Sequence, residues 1–278
     1  MCVIWGVPYL MIRVAVRELT PATLVFGRTA LAAALLVPVA VWRHELRPLL
    51  QVWWPLLLYT VIEIGIPWLL LARAETKLTS SLTGLLIAAV PLVGAVVVRL
   101  TGDRERMGAR RWSGLLIGIV GVGALVGLDL GSVSALPVAE VGAVAVCYAI
   151  GPIILFRSLA DVPPLGVVAG SLLLAAVAYA PFGIAQAPSS VPRASVVLSV
   201  IGLAVLCTAL AFILFLALIA EVGPVRATVI TYVNPAVAAI LGVSILGEKI
   251  TAGMGVGFIL VLTGCFLATG RNRALAEA

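Results

Sequence analysis

Apolar and polar positions alternate along this chain in blocks rather than residue by residue. Ten stretches are nearly uninterrupted apolar runs: 1–16, 24–42, 52–72, 80–100, 113–129, 138–156, 164–185, 196–219, 226–246 and 252–269. Most hold 17 to 24 residues, close to the roughly 20 that an α-helix needs to cross the hydrocarbon core. The connections are short and punctuated by Pro, Gly and charge, as at Thr20-Pro21, Gly102-Asp103, Pro163-Pro164 and Gly223-Pro224. The pattern predicts an all-α integral membrane protein of ten transmembrane helices. The first run is the odd one, since 16 residues make only about 24 Å of helix. It crosses thinned bilayer, is covered by tilted neighbours, or belongs to a helix that starts upstream of Met1. Its opening, MCVIWGVPYLMI, lacks the basic stretch of a cleavable signal peptide.

Composition removes the soluble alternative. The 278 residues are 63% hydrophobic and 11% charged, with mean hydropathy +1.22. A soluble domain carries about 25% charged residues to make its water-facing shell, so the apolar surplus here must face lipid. The net charge of +6 sits in the connections, where it sets orientation and meets anionic headgroups rather than nucleic acid. With a cytoplasmic N-terminus, eleven Lys and Arg fall in inside connections and six in outside ones. Five of them (Arg99, Arg104, Arg106, Arg110 and Arg111) lie between the fourth and fifth runs. The bias predicts both termini in the cytoplasm, in a cell (cytoplasmic) membrane.

Cys2, Cys147, Cys207 and Cys265 lie inside apolar runs without CxxC spacing, and His44 lies in the charged stretch Arg43-His44-Glu45. No metal or disulfide framework is expected from them. No phosphate-binding loop and no nucleophile with a base partner is present either, so no cofactor is expected.

The sequence is also written twice. A shift of 143 residues sets Trp5 on Tyr148, Pro21 on Pro164, Gly27 on Gly170, Pro38 on Pro181, Gly114 on Gly257 and Gly121 on Gly264. One or two further residues of offset set Glu63 on Thr208, Pro91 on Pro235 and Gly102-Asp103 on Gly247-Glu248. Five helices per half, an odd number, make the second half enter the bilayer from the opposite side. Two inverted five-helix repeats, 1–130 and 138–270, are the arrangement of secondary transporters, whose substrate binds near the midplane between the halves.

The opening Trp5-Gly6, the stretch PLVGAVVVRLTGDRERMGARRWSGLLIGIVGVGALV and above all TYVNPAVAAILGVSILGEKITAGMGVGFILVLTGCFLA resemble the EamA-type branch of the drug/metabolite transporter superfamily. The resemblance covers essentially the whole chain. It implies a ten-helix exporter of amino acids or related small metabolites, with a central cavity and both termini cytoplasmic. Two features depart from the pattern: the short first helix, and Gly102-Asp103 where the first-half GE is expected.

Within the helices, Glu63 is the sharpest candidate. It has about ten apolar or neutral residues on either side. A charge at a helix centre costs about 2.5–3.5 kcal/mol on insertion scales. The carboxyl is therefore protonated, paired or turned to a hydrated cavity. It couples protons or binds a substrate ammonium on one reading, and is a neutral acid within the bundle on the other. Arg28, about a turn inside the second run, either anchors or pairs with Glu63, or binds a substrate carboxylate. Their counterparts, Thr208 and Ser171, mark where the two halves differ.

Pro91 and Pro235 interrupt apolar runs, freeing the carbonyls of Ile87 and Thr231. They are hinge or cavity-wall candidates, with Asn234 and Tyr232 beside the second, or plain packing kinks. Trp5, Tyr9, Tyr59, Trp68, Tyr148 and Tyr232 are candidates to line an apolar or aromatic pocket, although each alone suits core or interface equally. Trp42, Trp53 and Trp54 suit the interfacial belt. The GxxxG pairs Gly114/Gly118, Gly123/Gly127 and Gly253/Gly257 let helices approach, between the halves or across a dimer. An intramembrane lipid-modifying enzyme would need clustered acids, histidines or cysteines, and a scaffold or signalling protein would need no duplicated polar cavity. A small-molecule transporter in the lipid bilayer, with protons as a further candidate partner, is the expectation; oligomeric state is open.

Overall fold

The computed structural model describes residues 1–100, 108–127, 135–222 and 232–269. Gly102-Asp103, Arg104, Arg106, Gly223-Pro224, Arg226 and Thr231 lie outside them. All regular structure among the described residues is helical. We name α1 Cys2–Ala15, α2 Pro21–Trp42, α3 Arg47–Ala74, α4 Ser80–Ile87 continued by Val90–Leu100, and α5 Ala109–Gly127. There follow α6 Ala135–Ser158, α7 Pro164–Ala185, α8 Ala194–Ala204 continued to Val222, α9 Asn234–Leu246 and α10 Ala252–Thr269. Eight are long and apolar enough to cross a membrane, whereas α1 and the described part of α9 are shorter apolar helices. This is an all-α membrane protein.

Local chemistry marks the helix ends. The Thr20 and Thr79 hydroxyls accept the backbone N–H groups of Thr23 and Leu82 (3.3 and 3.2 Å) at the starts of α2 and α4. Pro21, Pro164 and Pro235 occupy first-turn positions, where a missing N–H costs nothing. Gly247 ends α9 in the left-handed region, φ 67°, which only glycine enters freely.

Outward faces carry large apolar side chains, such as Leu116, Ile119 and Val120 on α5 and Ile259 and Phe266 on α10. In water such a surface would drive association; in a bilayer it is solvated by acyl chains. The inward faces gather alanine, glycine and serine, so that helices meet closely.

The most extensive pairings join α5 to α10 and α2 to α7, followed by α4 to α9. At the first of these, Cβ atoms built on Gly264 and Gly121 would meet the backbone of the opposing helix, at Gly114 O (2.6 Å) and Val261 N (2.7 Å). The four glycines matched by the 143-residue shift thus face one another within a single chain, Gly114 against Gly264 and Gly121 against Gly257. Gly123 meets nothing within 4 Å and takes no part. Further, α6 packs mainly on the Ile66–Ala74 end of α3, and α1 mainly on α9 and on the Ala194–Ala204 end of α8.

Candidate functional site

α3 and α8 cross the bundle with the same irregularity. Each turns π-helical for six residues, Thr60–Gly65 in α3 and Val205–Leu210 in α8. A π turn inserts an extra residue and tends to occur at functional positions. In α3, Pro67 has no N–H to offer the Glu63 carbonyl, and the Gly65 carbonyl accepts a hydrogen bond from the Tyr179 hydroxyl of α7 at 3.0 Å. In α8, the Thr208 hydroxyl donates to the Leu203 carbonyl, five residues back, at 2.7 Å. Glu63 and Thr208 occupy the same place within their respective π segments.

Glu63 is half-buried, and its side chain lies on the backbone of α6. A Cβ built on Gly151 would come within 2.9 Å of the Glu63 Cδ and nearer still to Oε2. Glycine at 151 is thus the condition for the carboxyl to sit where it does. Oε2 is buried and has no hydrogen-bond partner among the described residues. Tyr59, Cys147 and Tyr148 are the groups within its electrostatic reach.

Arg28 makes its contacts with Thr208 and Trp68 rather than with Glu63. Its Nε donates to Thr208 Oγ1 at 3.0 Å, and its Cζ lies 3.5 Å from the centre of the Trp68 ring. Hydrogen bonding and a cation–π contact together fix a cation that is 8% exposed. The ion pairs described elsewhere do not include it. Tyr148 is the bridge: it lies beside Trp68 and in the fields of both Glu63 and Arg28. Tyr9 is buried against Gly84 and joins the same set through Tyr148 and Arg28.

The cluster therefore runs from Glu63 and Tyr59 through Tyr148 and Trp68 to Arg28 and Thr208, with Tyr9 beside it. An acid and a cation stand at its two ends, with aromatic rings between them. Ser171, the counterpart of Arg28, is fully buried on α7, and its hydroxyl has no partner among the described residues. α7 packs on the π segment that carries Glu63. Unsatisfied buried polar atoms are rare and call for an explanation.

Other candidates lie apart from this cluster. Trp5 meets Phe212 of α8 edge to face and Phe215 at a tilt, with centroids 6.1 and 4.7 Å away. Tyr232 bonds the Thr269 hydroxyl at 3.0 Å, at the end of α10. Asn234 brings its backbone carbonyl against Gly6 of α1. Pro91 and Pro235 each sit in the first turn of a helical piece rather than in mid-helix. At the α4 break the Ala88 carbonyl accepts a hydrogen bond from the Cys265 thiol at 3.3 Å. An apolar groove of about 340 Å³ between α2, α7 and α8 contains none of the candidates.

Several charged residues that look like loop residues in the sequence are structural ties. The Glu248 carboxylate accepts from the backbone N–H groups of Ser80 and Ser81 (2.8 and 2.9 Å) and from both hydroxyls. Arg73 pairs with Glu140 at 2.9 Å, Glu18 pairs with Arg193, and Glu45 accepts from the Gly166 N–H at 3.1 Å. The GE pair of the last motif was the only one with a signal in the sequence. The others join residues more than 60 positions apart.

A multi-pass helical bundle with a polar cluster at its centre is the form of a membrane transporter. The chain belongs to the EamA-like transporter family, whose model matches residues 1–127 and 141–270. It is 29% identical over 263 residues to the uncharacterized inner membrane transporter YedA of Escherichia coli K12, covering 90% of this chain and 81% of that one. The same protein in the O6:H1 and O157:H7 strains matches equally. A crystal structure 21% identical in sequence superposes with a TM-score of 0.69, over 99% of this chain and 94% of that one. That likeness concerns the fold. The protein is thus a membrane transporter, and its family points away from an enzyme.

Proposed function

We propose that the chain is a secondary transporter that exports a small metabolite bearing an amine, an acid or both, such as an amino acid or a related compound or drug, across the cytoplasmic membrane. Ten spans form two inverted repeats, 1–130 and 138–270, with both termini in the cytoplasm. The single observation that carries this reading is the pair of π segments, 145 residues apart, holding Glu63 and Thr208 at equivalent positions. Pairing of α5 with α10, α2 with α7 and α4 with α9 supports the duplication, since each joins a helix to its counterpart.

Asymmetry between the halves supports alternating access. α1 carries Arg13 at its end, beside the Glu75 carbonyl, while Glu18 after it pairs with Arg193 before α8. The ends at which α3 meets α6 and α8 meets α1 are therefore the same end of the bundle. On this reading that end, tied across the halves by Arg73–Glu140 and Glu18–Arg193, is the closed one, and it is the outer one by the arginine count.

In the site, Glu63 takes a proton or the substrate ammonium, Arg28 takes the carboxylate, and Tyr59, Tyr148 and Trp68 form the apolar walls. Ser171 and the free Glu63 oxygen accept or donate the hydrogen bonds that the protein itself leaves unmade. The test is flux in proteoliposomes for a panel of amino acids and amines, with and without a pH gradient. Glu63→Gln is expected to insert and fold but to lose transport or its pH dependence. Parental flux with unchanged pH dependence in that variant refutes the role of Glu63.

A further inference from the structure

Three features remain unused by this reading: the apolar groove, the glycine seam of α5 and α10, and a buried acid at the closed end. The groove is lined by apolar groups that any acyl chain satisfies, and the seam is accounted for by packing. The acid is Glu75, in the turn between α3 and α4.

Its place is unusual. Glu75 follows the last residue of α3 and is entirely inaccessible, although its neighbours Thr76 and Lys77 are exposed. Both carboxyl oxygens are buried without a hydrogen-bond partner among the described residues. Arg13 of α1 reaches it, but its Nη1 donates to the Glu75 backbone carbonyl and not to the carboxyl. The other titratable groups that face it are Tyr9 of α1 and Glu248 from the turn between α9 and α10. Arg73, two residues earlier, is engaged with Glu140 of α6. Three ties between the halves surround the position: Arg73 to Glu140, Glu18 to Arg193, and Glu248 to Ser80 and Ser81.

An ionised carboxylate without partners in such a place is too costly to persist, because burial removes its hydration and nothing replaces it. We propose that Glu75 is a proton-binding site of the closed end, occupied while the outer ends of α1, α3, α4 and α6 are packed together and vacated when they part. Parting admits water, the carboxyl O–H gives its proton to that water, and the resulting carboxylate is paired by Arg13, which turns from the carbonyl. Protonation thereby favours the outward-closed state and deprotonation the outward-open one, as linkage requires of a group whose proton affinity differs between states. Burial raises the pKa of Glu75 well above the ordinary carboxylate range, and the nearby Glu248 adds to the effect while Arg13 opposes it. This inference rests on the alternating-access reading above, and its readout is conformation rather than flux.

The test uses the full chain in vesicles with Leu78→Cys as reporter, since Leu78 is 2% exposed beneath the closure. Labelling by a membrane-impermeant maleimide is followed from each face between about pH 5 and 9, above the background of the native cysteines. With Glu75 present, labelling from the outer face is expected to rise several-fold with pH. Glu75→Gln is expected to give low labelling that no longer responds to pH, and Glu75→Asp to keep the response with a shifted midpoint. An unchanged pH profile in Glu75→Gln overturns the proposal; should that variant fail to fold, an unshifted profile in Glu75→Asp does so. If the introduced thiol is never labelled from either face, even with substrate present, the outer end does not part. Alternating access then falls, and the proton site with it.

Discussion

Adding one methyl group at Gly151 tests whether the position of Glu63 matters more than its mere presence. The new Cβ would stand 2.9 Å from the Glu63 Cδ. Comfortable contact between carbons is about 3.5 Å, so the carboxyl carbon must retreat by about 0.6 Å, and Oε2, which lies nearer, by more. Overpacking of this kind costs about 1–3 kcal/mol when neighbours cannot yield. Here the obstacle is the tip of a side chain, so the lower end applies and the protein should remain folded. Misplacing a positioned group by about 1 Å can lower a rate by about a hundredfold. Gly151→Ala is accordingly expected to reduce flux in proteoliposomes by about ten- to a hundredfold while the apparent melting temperature falls by only a few degrees. The decisive measurement is the double variant. In a Glu63→Gln background, Gly151→Ala should cost much less flux than it does alone, because the group it displaces is already disabled. Full transport in Gly151→Ala, or losses that simply multiply in the double variant, would refute the reasoning.

Other outcomes follow from the same geometry. Thr208→Val removes the acceptor from Arg28 Nε, and a charged-group hydrogen bond lost in a buried site should lower stability by about 1.5–3 kcal/mol, read as a fall in melting temperature that Thr208→Ser largely avoids. Gly264→Leu drives a side chain into the backbone of α5 at Gly114 and Gly118; the variant should lose monodispersity in detergent, whereas Gly123→Leu, in open space, should not. Glu248→Ala leaves the first N–H groups of α4 without their acceptor, an effect of about 0.5–2 kcal/mol or more, and Glu248→Gln should restore part of it.

Much of the architecture was legible because a bilayer makes the demand simple. Apolar runs of spanning length had to be helices, and the depth of Glu63 singled it out. Gly114, Gly121, Gly257 and Gly264 were visible as a set, yet whether they joined two halves or two copies was open until α5 and α10 were seen side by side. The π segments left no mark in the sequence: extra residues in a helix disturb a period only where the helix is amphipathic, and α3 and α8 are apolar on nearly every side. For Arg28 the sequence leaves an anchor, a Glu63 partner and a carboxylate ligand open, and its position against Thr208 and Trp68 depends on residues 180 and 40 positions away. Glu75 carries no such signal, since nothing in a short polar connection tells which acid will be enclosed.

The sequence by itself determined the class of solvent and the helical content, because each follows from local composition or spacing. The tertiary structure decided which polar groups meet and which remain without a partner among the described residues. Those depend on how nearly featureless apolar surfaces dock, where small residues let two helices approach within a few ångströms and lipid gives no preference of its own. Steric fit at positions such as Gly151, rather than hydrophobicity, therefore places the Glu63 carboxyl.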